Sequence, residues 1–98
     1  MTIVRIQKII LDQAVQKHIK IKHNVSISEI ESVVHSDAHV IEGYLGRKIL
    51  VSRTGERVIA VIVKITGNKL RVFTARDASD KERLGLYEYE KTKTSSKI

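Results

Sequence analysis

Three arginines, Arg53, Arg57 and Arg76, are the side chains best suited to chemistry on a phosphate. A guanidinium group can donate two parallel hydrogen bonds to phosphate oxygens, and its charge stabilises the negative charge that develops during phosphoryl transfer. Arginines that lie close together repel one another unless an anion or a carboxylate lies between them. The sequence therefore indicates a phosphate site, with the alternative that protein carboxylates are the partners. The candidate carboxylates are Glu56, Asp77 and Glu82.

Two histidines, His18 and His23, could transfer protons, because imidazole is the side chain that most readily changes its charge near neutral pH. They lie near and just past the end of a predicted helix. A histidine in that position can also simply stabilise the negative end of the helix dipole. The sequence leaves both roles open.

The residues offer little for metal or thiol chemistry. His35 and His39 flank Asp37, a spacing that could suit a metal ion on a helix, but no third ligand is evident. The chain has no cysteine, which excludes disulfides, thiol catalysis and cysteine–zinc sites. We therefore expect no metal and no cofactor.

The positive charge is concentrated in one part of the chain. The formal net charge is +7, and basic and acidic residues cancel over residues 1–46 and again over residues 77–98. Residues 47–76 carry eight basic side chains against Glu56 alone. Such a block attracts polyanions, either a nucleic acid or an acidic protein, and charge alone does not separate the two. The other reading is a solvated surface that keeps the protein soluble.

The composition is that of one globular domain. Of the 98 residues, 42% are hydrophobic and 30% are charged. The longest apolar run, Val58 to Val63, is far shorter than the roughly 20 residues of a membrane helix. Arg5 and Lys8 interrupt the first apolar stretch, which therefore has no secretory signature. We expect a cytoplasmic protein with a single domain over residues 1–91 and a flexible tail over residues 92–98.

Periodicity and local signals predict an α+β fold. Capping boxes at Ser26 with Glu29 and at Ser79 with Glu82 predict two helix starts, and Gly67-Asn68 predicts a hairpin turn. The predicted elements are a strand over 3–11, helices over 13–22 and 27–35, an irregular stretch or weak strand over 36–46, strands over 47–53, 57–65 and 70–75, and a helix from about 80 to 91. We expect a small antiparallel sheet, formed by the N-terminal strand and a three-stranded meander. Two N-terminal helices and one C-terminal helix should cover one of its faces.

The meander predicts where the arginines lie. Counting back from a loop at Gly67-Asn68 places Arg76 opposite Ile59, and a tight first hairpin places Arg53 opposite Arg57. Residues two apart on a strand share a face. The three guanidinium groups are then expected to project from one face at one end of the sheet. A shift of one residue would send one of them to the other face.

Four segments together resemble the BrnT family, the toxin half of a BrnT/BrnA-type toxin–antitoxin pair. They are residues 9–12 leading into His18-Ile19 and 22–25, residues 26–31 with their acidic helix, residues 47–54 ending in Arg53-Thr54, and residues 74–83. Their order and spacing carry the likeness, over roughly residues 9–89. The tyrosine of the family usually follows the Glu-Arg pair one position earlier than Tyr87 does here, so no catalytic tyrosine is carried over.

The resemblance implies a RelE-like ribonuclease fold and the toxin of a type II toxin–antitoxin system. It implies cleavage of RNA that inhibits translation. It also implies a cognate antitoxin, BrnA-like and DNA-binding, that joins the toxin in a hetero-oligomer. The positions that match the family are His18, His23, Arg53, Arg76 and Glu82.

These residues could support metal-independent cleavage, in which the ribose 2′-OH attacks the neighbouring phosphate. The candidate catalytic residues are His18, His23, Arg53, Arg57, Arg76 and Glu82, and the candidate RNA-binding residues are Lys22, Arg47, Lys48 and Arg71. The alternative is a non-catalytic basic module that binds nucleic acid or protein. Single-strand binders commonly stack bases on aromatic side chains, and here Phe73 is the only aromatic residue near the centre of the predicted sheet.

Overall fold

A computed structural model describes residues 8–95 and shows a five-stranded mixed sheet with three helices. The elements are β1 (Lys8–Ile10), α1 (Gln13–His23), α2 (Ile27–His35), β2 (His39–Glu42), a 3-10 turn (Tyr44–Gly46), β3 (Lys48–Thr54), β4 (Arg57–Thr66), β5 (Lys69–Asp77) and α3 (Asp80–Ser95). The strand order is β1-β5-β4-β3-β2. The α+β class and the antiparallel meander are confirmed.

Two features of the sheet differ from the prediction. β1 pairs with β5 in parallel, so the sheet is mixed rather than antiparallel. α1 and α2 carry the chain from β1 at one edge of the sheet to β2 at the other, and β1 therefore adds to the far edge of the meander, beside β5 and in the same direction. The weak strand expected within residues 36–46 forms as β2, an edge strand antiparallel to β3. Residues 3–7 of the predicted first strand lie outside the described residues.

The first two helices occupy the predicted positions because their ends carry local signals. α1 ends at Asn24, which adopts the left-handed conformation with φ 52°. α2 begins with a capping box in which Ser26 Oγ accepts from the Glu29 N–H and the Glu29 carboxylate accepts from the Ser26 N–H. α3 continues to Ser95, so residues 92–95 of the expected tail are helical, and residues 96–98 lie outside the described part of the chain.

The helices cover both faces of the sheet, not one as predicted. We call the side of β4 that carries Ile59, Val61 and Val63 the α1/α2 face, because Ile19, Ile30 and Val33 of those helices join the same buried cluster. The opposite side, with Val58 and Ala60, packs against Leu86 and is called the α3 face. β4 is apolar on both sides for this reason, as expected of a central strand.

The register separates the arginines that the sequence was expected to bring together. Thr54, not Arg53, lies opposite Arg57, because the turn contains two residues and begins at Gly55 with φ 64°. Ile62 pairs with Thr74 and Val63 with Val72, which leaves Phe73 as an extra residue in a bulge. Arg76 consequently lies opposite Ala60 instead of Ile59.

The outcome is that Arg57 belongs to the α1/α2 face, whereas Arg53 and Arg76 belong to the α3 face. The predicted hairpin at Gly67-Asn68, with Thr66 opposite Lys69, is confirmed. The predicted single arginine patch is wrong, because the first hairpin differs by one residue from the expected register and the bulge at Phe73 shifts the pairing of β4 with β5 by one residue before Arg76.

The capping box of α2 provides a test of this local architecture. Replacing Ser26 with Ala should lower the free energy of unfolding by about 1 kcal/mol, since the Glu29 N–H loses its acceptor. Urea unfolding followed by circular dichroism measures the change. Ser32→Ala, at an exposed position inside the same helix, is the matched control and should not destabilise the protein. Equal loss in both variants would contradict the capping role.

Candidate functional site

Arg57 holds the ends of three elements together on the α1/α2 face. Its Nη1 donates to Glu29 Oε2 at 3.0 Å and to the Asn24 carbonyl oxygen at 2.8 Å. Its Nε and Nη2 donate to Asp77 Oδ1 at 3.2 and 3.0 Å. The backbone N–H of Ser26 lowers the pKa of Glu29, and Arg57 lowers it further, so the carboxylate is ionised beside this arginine. These contacts describe a structural clamp whose donors are already occupied.

Arg76 forms a two-pronged pair with Glu82 at the start of α3. Nη1 donates to Oε1 at 2.7 Å and Nη2 donates to Oε2 at 2.9 Å. The same Oε1 accepts from the backbone N–H of Ser79 at 2.8 Å, and Ser79 Oγ accepts from the Glu82 N–H, which completes the predicted capping box. The side chain of Glu82 is only 10% exposed. This glutamate, proposed from the sequence as catalytic, therefore also orients the helix and its arginine.

Arg53 forms a similar pair farther along α3, with both partners more exposed. Nε and Nη2 donate to the two carboxylate oxygens of Glu90 at 2.8 and 2.9 Å. The Arg53 guanidinium also lies 5.0 Å from the centre of the Tyr87 ring, within the range of a cation–π contact. The side chains of Arg53 and Glu90 are 47% and 37% exposed. Solvent and ligands can therefore reach this pair.

The three arginines thus each have a carboxylate partner, as the alternative reading of the sequence allowed. Asp77 and Glu82 were among the expected partners, while Glu90 takes the role that Glu56 was considered for. Arg53 and Arg76 remain on one face and are bridged by one helix. Arg57 is separated from them by the thickness of the sheet.

The histidines expected to transfer protons lie away from Arg53 and Arg76. His18 is exposed on α1, with its ring 6.4 Å from that of His23. The carbonyl oxygen of His23 lies 3.5 Å from Arg57 Nη2, on the α1/α2 face. A catalytic role for either residue remains a prediction.

Sequence reasoning missed a group that lies beside Arg53 on the α3 face. His39 of β2 is opposite Val51, two residues before Arg53 on β3, so the two side chains share that face. The His39 ring lies 5.4 Å from the Tyr89 ring, and the Tyr89 hydroxyl donates to Asp37 at 2.8 Å. The only local signal was the His39–Asp37 spacing, read for a metal, because pairing of β2 with β3 was not predicted.

Gly85 allows α3 to lie close to this histidine. A Cβ atom added at Gly85 would lie 3.0 Å from His39 Nε2, tighter than an ordinary van der Waals contact. The helix therefore rests on the imidazole as well as on the two arginines.

The four candidate RNA-binding residues fall in different environments. Lys22 is exposed on α1. Lys48 pairs with Glu42 at 2.6 Å and lies opposite Val63, on the α1/α2 face. The Arg47 guanidinium lies 4.0 Å from the centre of the Phe73 ring. Arg71 lies opposite Lys64 on the α3 face, with Asp12 at 3.8 Å.

In chemical terms, the α3 face combines positive charge with groups that can carry a proton. Arg53 and Arg76 are suited to a phosphate that gains negative charge, and His39 is suited to moving a proton nearby. In the part of the chain that the structure describes, no three side chains are grouped to hold a metal ion. No described helix is long and apolar enough to cross a membrane.

A solved structure resembles this chain over most of its length. It is the crystal structure, at 1.1 Å resolution, of the ribonuclease toxin BrnT of Brucella abortus. The two chains are 28% identical and superpose with a TM-score of 0.62, and the match covers 74% of this chain and 97% of the toxin. No protein-family model and no curated protein matches the chain.

The Arg76–Glu82 pair should make stability depend on pH in a defined direction. Hydrogen bonds from Arg76 lower the pKa of Glu82 below its ordinary value of 4.5, and the Ser79 N–H adds to this against the opposing effect of burial. The folded-state pKa is thus below the unfolded one. The pair therefore stabilises fully above about pH 4.5, and its contribution is lost as the pH falls through the folded value.

Glu82→Gln should accordingly lower the free energy of unfolding by about 2 kcal/mol at pH 7, and the difference from the parent protein should shrink toward pH 3. Urea unfolding at a series of pH values measures this. Glu88→Gln, at an exposed position on the same helix, is the control and should change little at any pH. A difference for Glu82→Gln that grows in acid would contradict the assignment.

Proposed function

We propose that this chain, which has the BrnT-like fold that its sequence predicted, is the toxin of a toxin–antitoxin system and acts as an endoribonuclease. The observation that carries this proposal is the similarity to the ribonuclease toxin of Brucella abortus, which extends over nearly all of that toxin's chain. Cleavage of RNA would inhibit translation, and the protein would then act in the cytoplasm.

The cleavage site that we propose lies on the α3 face, around Arg53, Arg76 and His39. Arg53 and Arg76 project from the same face near the end of the β3–β4 hairpin, and His39 is the nearest histidine on that face by strand register. Arg57 and His23 are less suitable for this site, because they lie together on the opposite face and Arg57 has all its donor groups occupied.

The reaction that fits these groups needs no metal. The ribose 2′-OH loses its proton to a base and attacks the adjacent phosphorus atom. The bond from phosphorus to the 5′-oxygen of the next nucleotide then breaks, and that oxygen takes up a proton. The products are a 2′,3′-cyclic phosphate and a 5′-hydroxyl end. His39 is the candidate for proton transfer, and Arg53 is the candidate for stabilising the charge on the phosphate oxygens.

The two arginines would take different parts because their carboxylate partners differ. Glu82 is nearly buried and is also held by Ser79, so Arg76 is a positioning residue that keeps α3 in place. The Arg53–Glu90 pair is solvent-exposed, and solvent-exposed ion pairs contribute little to stability. A phosphate can replace Glu90 at Arg53 at little cost.

The partner implied by this function is a cognate antitoxin, which we propose to be BrnA-like and DNA-binding and to form a hetero-oligomer with the chain. A protein of net charge +7 attracts an acidic inhibitor, and complementary charge speeds and orients such an association. Neutralising the basic surface would also exclude RNA from it.

The opposite placement of Arg53 and Arg57 gives a sharp test of the site. Arg53→Ala should reduce cleavage of RNA by about 10²-fold, because a charge-stabilising donor is lost, while thermal stability changes little. Arg57→Ala is the matched control, since it removes the same side chain from the same hairpin. It should lower the melting temperature yet leave the rate per folded molecule unchanged. The proposed site fails if Arg57→Ala abolishes cleavage in the folded protein and Arg53→Ala does not.

The histidines can be separated in the same assay. With EDTA present, His39→Gln should slow cleavage by about 10²–10⁴-fold, because the proposed proton-transfer group is lost. His18→Gln and His23→Gln should retain the parent rate. Analysis of the product ends would detect the cyclic phosphate. If the parent protein binds RNA without producing new ends, it is a binding module and not a nuclease.

A further inference from the structure

Half of the α3 face carries no helix among the described elements. α3 packs on β3, on β2 and on the Val58–Ala60 end of β4, so β1 and the ends of β4 and β5 near the Gly67-Asn68 turn are open on this side. Ile10, Ile62 and Thr74 are only half-buried there, in contrast to the fully buried Ala60 under α3. This open surface plays no part in the cleavage chemistry described above.

Five basic side chains occupy this open half, and we call them the basic rows. One row contains Lys8 opposite Lys69, and the next contains Arg71 opposite Lys64. Arg47 extends the second row. The next residue, Lys48, pairs with Val63 of the antiparallel strand β4, so Arg47 lies at the level of Lys64. Like charges directly opposite one another in a sheet are destabilising.

Acidic side chains of the described part of the protein neutralise little of the positive charge of the basic rows. Over the described residues, the only ion pair that they make is between Arg71 and Asp12, at 3.8 Å and with both side chains more than half exposed. Arg47 instead lies over the Phe73 ring, 4.0 Å from its centre. The arginines at the other end of the face have close carboxylate partners, so the unneutralised charge of this face is concentrated in the rows.

The bulge at Phe73 places the basic rows and the cleavage site on the same face. Arg71 and Arg76 are five positions apart on β5, and in a regular strand an odd separation would put them on opposite faces. The extra residue reverses that alternation, so Arg71 lies beside Lys64 and Arg76 beside Ala60, both on the α3 face. The distance between the two positions along the strand is about 15 Å.

We propose that the basic rows bind the sugar–phosphate backbone of single-stranded RNA, as a second contact surface distinct from the cleavage site. This inference rests on the proposed function. One RNA strand would run along β5, from the candidate site near Arg53 to the turn at Gly67-Asn68. RNA is favoured over an acidic protein because Arg47 and Phe73, in contact at 4.0 Å, are a guanidinium and an aromatic ring of the kind on which bases stack, next to charges that contact phosphates.

The experiment compares two variants of equal charge change. Lys64→Gln/Lys69→Gln removes two charges from the rows, and Lys17→Gln/Lys20→Gln removes two exposed charges from α1. Circular dichroism confirms folding, and Lys64→Glu alone serves if the double row variant does not fold. Binding of a labelled single-stranded RNA of about twelve nucleotides is measured over a range of salt concentrations.

The row variant should bind at least tenfold more weakly at low salt, and the slope of log K against log salt should become shallower by about 1.4, since each of the two lost phosphate contacts contributes about −0.7. The α1 variant should keep the parent slope. In cleavage assays, the row variant should raise KM for the long RNA and leave turnover of a dinucleotide unchanged.

The outcomes distinguish this inference from the proposed function. An altered slope without cleavage by the parent protein supports the rows and refutes the nuclease. Cleavage by the parent with an unaltered slope in the row variant refutes the rows and leaves the nuclease standing. If the row variant loses binding of a poly-glutamate peptide but keeps its RNA slope, the surface binds an acidic protein, and the inference is wrong.

Discussion

The functional surface depends on which face of the sheet each side chain of β5 occupies. Side chains alternate between the two faces along β5, and a single bulge reverses that alternation. Without the extra residue at Phe73, Arg71 and Arg76 would lie on opposite faces. With it, the basic rows, Arg76 and Arg53 share a face that is covered at one end and open at the other. Arg57 is excluded from this surface by the same alternation, because the Gly55 turn places it one residue out of step with Arg53.

The parts of the fold that the sequence predicts well are those decided by neighbours along the chain. The capping boxes at Ser26 and Ser79 and the left-handed Asn24 are local signals, and they give helix ends within about a residue. The β5 bulge and the pairing of β2 with β3 depend on contacts between distant segments. Such contacts leave little trace in the local pattern, so the arginine patch was misplaced and His39 was missed.

The folded protein shows where on its surface the excess positive charge lies, which the composition does not show. Residues 47–76 carry the whole excess of +7, but the acidic residues of α3, together with Asp77 and Glu29, neutralise the three arginines near the β3–β4 hairpin. Lys48 is paired with Glu42. The excess that remains lies mainly on the open half of the α3 face. A charge count over a segment therefore indicates a polyanion partner, and only the pairing of strands and helices shows where it would bind.

The attachment of α3 determines how RNA could reach the candidate site. Arg76 and Glu82 are hydrogen-bonded, partly desolvated and tied to the helix start, so breaking this pair would strand a buried carboxylate. The Arg53–Glu90 pair is exposed and costs little to exchange. Leu86 is the one apolar side chain of α3 that is fully buried among its described residues, and farther along the helix the half-buried Tyr89 contacts His39 and donates to Asp37. Exchange of Glu90 for a phosphate, with these contacts and the Glu82 end kept, would make Arg53 available while preserving the fold.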